Sequence, residues 1–330
     1  MSTAETQNKK HKNNPITIHN IINIKTEEAL EEKKEEVKIK HIVMSGGGPA
    51  GLITYGAAKY LHKKGFWKLE NIESIYGCSI GACMGIILSL GYEWDWLDDY
   101  FIKRPWSKVI QTNATSLFQS FYDKGFLGEK IVYDVMLPLL HGKDLDSTIT
   151  FKQLYEWNKK EIHVYTTNIN TFHFEKIDIS YKTHPDMSVI KAICMTTAYP
   201  VAFKPICVGD ACYIDGGLLN NYPLNDCITQ TKCNTDEILA FKNIWITNDT
   251  NINEESSMFD FMNVIIRKMQ REIDTESKQM DVKYTVRCII ENMTDFSDWI
   301  IAMNTEESRT SMIEKGLNHA KLFLSYMDTS

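Results

Sequence analysis

A chain of 330 residues, 43% of them hydrophobic, is long enough to bury one large core or two smaller ones. A formal charge of −7 and a pI of about 5.8 exclude a general nucleic-acid binder, whose footprint would be a basic surface. Eight cysteines without a C-x-x-C pair lack zinc-ligand spacing and read as reduced, mostly buried thiols of a cytoplasmic protein.

Residues 1–36 are polar and then densely charged ("KTEEALEEKKEEVK"), the composition of a flexible N-terminal arm. They lack the apolar core of a signal peptide, and the basic cluster Lys9 to Lys12 fits a solvated tail. From Val37 the pattern changes: a strand over 38–44, a glycine turn, a helix over 52–64, a strand over 71–76 and a helix opening near Ser79. Strands alternating with helical patterns predict a mostly parallel sheet covered on both faces. The apolar stretch "IGACMGIILSLG" is too short to span a bilayer and reads as a buried helix. Aromatic-rich stretches follow at 92–106 and 116–126. Most of these rings read as core under covering helices, with a lipid interface or an acyl channel as the alternative. Further strands are expected at 161–169, 241–248 and 284–290, and amphipathic helices at 258–280 and 305–327. With no repeat and no Pro- or Gly-rich linker, the simplest organisation is an α/β unit over 37–250. A helical C-terminal extension, 251–330, would pack on the same domain.

Gly46, Gly48 and Gly51 satisfy G-x-G-x-x-G after a strand and before a helix, which admits two readings. A dinucleotide-binding turn requires an acidic residue at the end of the second strand. Glu70 precedes the run "IESIY" and Glu73 lies inside it, so neither meets the requirement. What stands there is "GCSIG", Gly77 to Gly81, the G-x-S-x-G nucleophile elbow. A serine at such a turn takes strained backbone angles, so Gly77 and Gly81 must be small. The turn also sets Ser79 at a helix N-terminus, which favours developing negative charge. With both turns at the C-terminal ends of consecutive strands, the amides of Gly47, Gly48 and Ile80 can face an oxygen that becomes anionic when Ser79 attacks an acyl carbonyl. This context favours the oxyanion reading.

A serine hydroxyl is a weak nucleophile and needs a base. Only His319 follows the later acidic candidates in Ser–acid–His order, and it sits in the helix-like "EKGLNHAKLFL", where a helix-surface role is expected. Asp215, in "CYIDGGLLNNYP", ends an apolar run, and Gly216 and Gly217 allow a tight turn after it. Desolvation would raise its pKa and suit it to accept the serine proton. An ordinary Asp-Gly-Gly turn remains the alternative on these residues alone.

Taken in order, "SGGGPAG", "GCSIG", "KGFLGEKIVYDVMLPLL", "ITFKQLYEW", "HPDMSVIKAICMTTAYPVAFKPI" and "YIDGGLLNNYPL" resemble the patatin-like phospholipase family, from about Val37 to about Asp226. The resemblance implies a three-layer α/β/α sandwich and a Ser79–Asp215 dyad. It also implies an oxyanion hole at Gly46 to Gly48 in the loop closed by Gly51, and metal-independent hydrolysis of acyl esters of phospholipids and related lipids. Two positions depart from the family's pattern. Ala50 stands where the loop usually carries a basic residue, and Ser45 stands where an Asp is common. The expected protein is thus a serine lipid acyl hydrolase of the phospholipase A type. It would use no metal or cofactor, bind no nucleic acid, and be cytoplasmic with peripheral membrane contact through its acyl-lipid substrate. The rivals are an esterase or thioesterase on soluble or neutral-lipid esters, a non-catalytic lipid-binding protein of the same fold, and a flavin- or NAD-dependent enzyme.

Overall fold

Short apolar runs build the centre of the molecule: β1 (His41–Met44) and β2 (Ser74–Cys78) are buried at every position. That is what strands covered on both faces require. The structure, a computed structural model, describes residues 38–113, 116–246, 252–273, 281–291 and 296–328. The expected N-terminal arm and the expected boundary at 250/251 lie outside the described residues, as do 247–248 and 274–280 of the expected strand and helix.

After β1 and β2 come α1 (Gly51–Lys63, between them), α2 (Ile80–Ser89), α3 (Trp94–Lys103), α4 (Trp106–Asn113) and α5 (Leu117–Asp123). The chain continues through β3 (Gly125–Leu127), α6 (Glu129–His141), α7 (Phe151–Asn158), β4 (Glu161–Asn168), β5 (Glu175–Ile179) and α8 (Val189–Thr196). Then follow β6 (Val201–Phe203), β7 (Ile206–Val208), β8 (Ala211–Asp215), α9 (Gly217–Asn220) and α10 (Leu224–Thr231). The last elements are β9 (Ile238–Trp245), α11 (Met258–Ile273), β10 (Tyr284–Ile290), α12 (Phe296–Asn304) and α13 (Glu306–Asp328). The second strand starts later than its apolar pattern suggests, because Leu69–Asn71 form a 3-10 turn.

The main sheet runs β10-β9-β1-β2-β4-β8-β7, with β5 also on β4. From β10 to β4 neighbouring strands are parallel, whereas β5, β7 and β8 pair antiparallel. Side-chain alternation divides the interior. Ile42, Met44, Ile75, Leu239 and Phe241 enter a large core with α1, α2, α6, α8 and α13. Val43, Tyr76, Cys78, Ile238 and Ala240 enter a smaller core closed by Tyr222, Leu224 and Cys227. The result is the expected layering of helices on both faces of a mostly parallel sheet. The apolar α2 is buried from Gly81 to Ser89.

One junction sets up everything that follows. On β4, Val164 and Tyr165 pair with both β2 and β5, and Thr166 to Asn168 pair with both β5 and β8. A strand has two edges, so β2 and β8 share the edge that β5 leaves open and run toward each other. Their last residues occupy successive positions: Cys78 opposite Tyr165, and Asp215 opposite Thr166.

The C-terminal helices are accompanied by β10, which extends the parallel sheet beside β9. Residues 38–330 form one unit. Helix α13 lies directly on α1, where a Cβ on Gly56 would stand 2.0 Å from the Ile313 carbonyl oxygen and one on Gly316 1.9 Å from that of Ile53.

The aromatic stretches separate. Phe101 and Trp106 are buried as expected, but Phe118, Phe121 and Tyr122 are 73%, 74% and 68% exposed. Among the described side chains of α5 only Ser120 is buried, so no helical layer covers these three rings. All eight cysteines are free thiols, six of them buried. Among the described residues, no helix is long and apolar enough to cross a membrane.

Candidate active site

Ser79 follows β2 and precedes α2 with φ 52° and ψ −129°, the strained angles of an elbow. The turn closes because Gly81 packs against backbone, where a Cβ would come within 2.4 Å of the Met44 carbonyl oxygen and 2.6 Å of that of Ser45. Gly77 sits against Ala82 in the same way. The strained amide of Ser79 donates to Thr196 Oγ1 at 2.8 Å, and the Thr196 hydroxyl donates in turn to the Tyr165 carbonyl.

Asp215 arrives at the same point from β8. The Thr166 hydroxyl donates to the carbonyls of Ile214 (2.7 Å) and Met195 (3.2 Å), pinning the end of the strand. Gly216 packs against the Tyr165 carbonyl, and the Gly217 amide donates to Asp215 Oδ1 at 2.7 Å. Asp215 is 4% exposed. Burial pushes its pKa up to about 6, and the neighbouring Ser79 side chain, the Gly217 amide and the Cys78 thiol offset part of the rise. The two residues that the motifs single out therefore line one cavity, with the Ser79 side chain among the groups that act on the Asp215 carboxylate.

The glycine loop divides its labour differently from the expectation. The Gly46 amide donates to the Asn221 carbonyl at 3.1 Å and is thereby spent. Gly51 is the first residue of α1, its amide donates back to the Gly48 and Pro49 carbonyls, and its Cα faces Ile80. Neither supplies a free donor. The Gly47 and Gly48 amides have no acceptor among the described residues, and Gly48 has φ +54°, which glycine alone adopts without strain. Ile80, at the first position of α2, adds a third amide without an intrahelical acceptor. Three N–H groups without acceptors, on residues that line one cavity with Ser79, can receive an oxyanion.

The loop is held by a residue that sequence reasoning missed. Asn243 on β9 donates from Nδ2 to the Gly46 carbonyl at 3.0 Å, accepts from Thr54, and donates its amide to Ser45 Oγ at 2.8 Å. Thr196 was likewise missed, although it lies within one of the quoted stretches. His319 is half-buried on α13, does not line the cavity at Ser79, and has a pKa lowered by burial.

Ser79 and Asp215 open into a cavity of about 870 Å³. Leu52, Ile87, Phe101, Trp106, Ile131 and Val135 supply much of its apolar wall. Tyr199 also lines it, with its hydroxyl donating to Asn263 at 2.7 Å. Among the described residues, one group could hold a metal: His41, Cys233 and Glu237, with donor atoms within 4.8 Å of one another. It lies at the start of β1, whereas the glycine loop follows the end of that strand, and the Glu237 carboxylate is already paired with Lys40.

Comparison with known proteins agrees with this geometry. A family model described as patatin-like phospholipase matches residues 42–228. The "Probable lipid hydrolase 463L" of Invertebrate iridescent virus 6 is 27% identical over 235 residues, covering 69% of this chain and 77% of that one. The uncharacterized YqhO of Bacillus subtilis is 27% identical over 201 residues, 55% of this chain and 64% of that one. VipD from Legionella pneumophila shares the fold, with a TM-score of 0.51 at 17% identity over 88% of this chain and 67% of that one. The family match covers more than half of the chain, and the protein belongs to the patatin-like phospholipase family.

Proposed function

We propose that the protein is a serine lipid acyl hydrolase of the phospholipase A type. The observation that carries this is Ser79 at a strained elbow beside a buried carboxylate whose pKa is pushed up to about 6, both on a cavity with a long apolar wall. Asp215 takes the proton as Ser79 Oγ attacks the ester carbonyl, and the amides of Gly47, Gly48 and Ile80 receive the oxyanion. Collapse breaks the ester bond, and the leaving alcohol takes the proton back from Asp215. Water, deprotonated by Asp215, then cleaves the acyl-enzyme and releases the fatty acid. Base and charge stabilisation both come from the chain, so no step calls for a metal. Family membership and the name of the viral relative support a lipid substrate.

Contact with a lipid surface is part of this reading. Met258, Phe261, Ile265, Met269 and Ile273 form an exposed apolar stripe at helical spacing on α11, and Phe118, Phe121 and Tyr122 add exposed rings on α5. Assay of a panel of phospholipids, lysophospholipids and neutral acylglycerols, with wild type and Ser79→Ala, tests the proposal. Wild type should release fatty acid and react with a fluorophosphonate probe, and Ser79→Ala should do neither. Probe labelling without lipid turnover, alongside rapid cleavage of soluble esters, would make it an esterase instead.

A further inference from the structure

The charges on the cavity wall are unevenly distributed. Apart from Asp215, the wall carries Lys242, Arg267, Arg271 and Arg287 against a single carboxylate, Asp281. This happens in a chain of formal charge −7, and the glycine loop, 45–51, contributes no charge. Asp281 pairs with both Lys242 (2.9 Å) and Arg287 (2.5 Å), which stand opposite each other in the β9–β10 register. One carboxylate shared by two cations leaves that corner net positive before the α11 arginines are counted.

Arg267 is the telling member. It is half-buried, lies one turn from the buried Asn263 on α11, and makes no hydrogen bond or ion pair among the described residues. A guanidinium partly withdrawn from water without an acceptor is unfavourable, and its fork of donors matches an oxyanion. It is also close to the chemistry. Burial raises the Tyr199 pKa; the Asp215 charge adds to that rise and the Arg267 charge opposes it. In a glycerophospholipid the ester carbonyl and the phosphate are only a few bonds apart, so a phosphate subsite has to share a cavity with the nucleophile, as Arg267 does with Ser79.

We infer that Arg267, with Arg271, Lys242 and Arg287 around it, forms a subsite for the phosphate of a phospholipid whose acyl chain fills the apolar part of the cavity. The inference rests on the lipid-hydrolase reading and narrows its substrate to phosphate-bearing lipids.

The test reads binding and turnover separately. Dodecyl phosphate has no carboxylic ester to cleave, so its binding to the full-length protein can be titrated calorimetrically below its micelle concentration. Arg267→Gln should weaken it about tenfold or more, with no comparable loss for dodecyl maltoside, and Arg267→Lys, which keeps the charge but not the fork, should weaken it less than Arg267→Gln does. Inorganic phosphate should bind far more weakly than dodecyl phosphate. In mixed micelles, the ratio of kcat/KM for phosphatidylglycerol to that for diacylglycerol of the same chains should fall about tenfold or more in Arg267→Gln. Unchanged dodecyl phosphate binding, an equal loss for the maltoside, or inorganic phosphate bound as tightly as dodecyl phosphate would overturn the subsite. So would an unchanged kcat/KM ratio. Arg267-dependent binding in a protein that hydrolyses neither lipid would uphold the subsite and remove the hydrolase reading.

Discussion

The desolvation that suits Asp215 to take a proton also makes its charged form a burden on the fold. Its pKa of about 6 stands above the ordinary 3.8, so the folded state holds the proton more tightly than the unfolded chain. The stability that the protonated group contributes is complete below about pH 4 and is lost as pH rises through 6. Asp215→Asn should therefore raise stability at pH 7 by up to about 3 kcal/mol while removing hydrolysis, because the amide keeps the Gly217 hydrogen bond but takes no proton. Thermal melts at pH 4 and pH 7 check this, with the gain confined to the higher pH. In wild type, kcat/KM should fall on the acid side with a midpoint near pH 6, where the base becomes protonated. His319→Ala should leave that profile and the turnover nearly intact, since His319 does not line the cavity; an inactive His319→Ala would point to a triad. Ser79 and Asp215 were legible because each stands inside a local glycine pattern. Thr196 and Asn243 were not, because their bonds to Ser79 and Gly46 span 117 and 197 residues and leave no local signature.

At the scale of elements, the glycine loop depends on a strand that precedes it in space and follows it in sequence. Asn243→Ala removes the tether on the Gly46 carbonyl and should lower kcat about ten- to a hundredfold with little change in KM, read by single-turnover acylation. Gly47→Val should act more strongly through the same contact, since its Cβ would stand 2.6 Å from Asn243 Nδ2. Helix α11 has two faces with different work in the proposed mechanism. Ile265→Glu with Met269→Glu, both on exposed positions, should reduce binding to vesicles about tenfold and leave turnover of a monomeric short-chain ester unaffected. Sedimentation with vesicles measures the first and a soluble assay the second. The stripe and the α5 rings explain why composition misled over 116–126: an aromatic run tells that rings are present, not whether another layer will cover them.

Over the whole molecule, the parallel half of the sheet was legible and the antiparallel half was not. Strands buried on both faces leave continuous apolar runs, whereas β7 has only three residues, too few to show alternation. The C-terminal third is integral, not an accessory. Gly316→Val would drive a side chain into the Ile53 carbonyl and should cost about 3 kcal/mol, seen as a lowered urea midpoint. An unchanged midpoint would mean that α13 is not locked on α1.

The meeting of β2 and β8 along one edge of β4 has a further consequence for tolerance. A single strand measures the separation of Ser79 and Asp215, one arriving from each direction. A slip of one residue in either would move its end by about 3.3 Å and turn its side chain to the other face. Error in alignment is thus all-or-none here. An inserted residue within β8 should silence the protein outright, while the same insertion in the exposed 171–174 connection, beyond the residues bonded to β8 and its turn, should pass unnoticed.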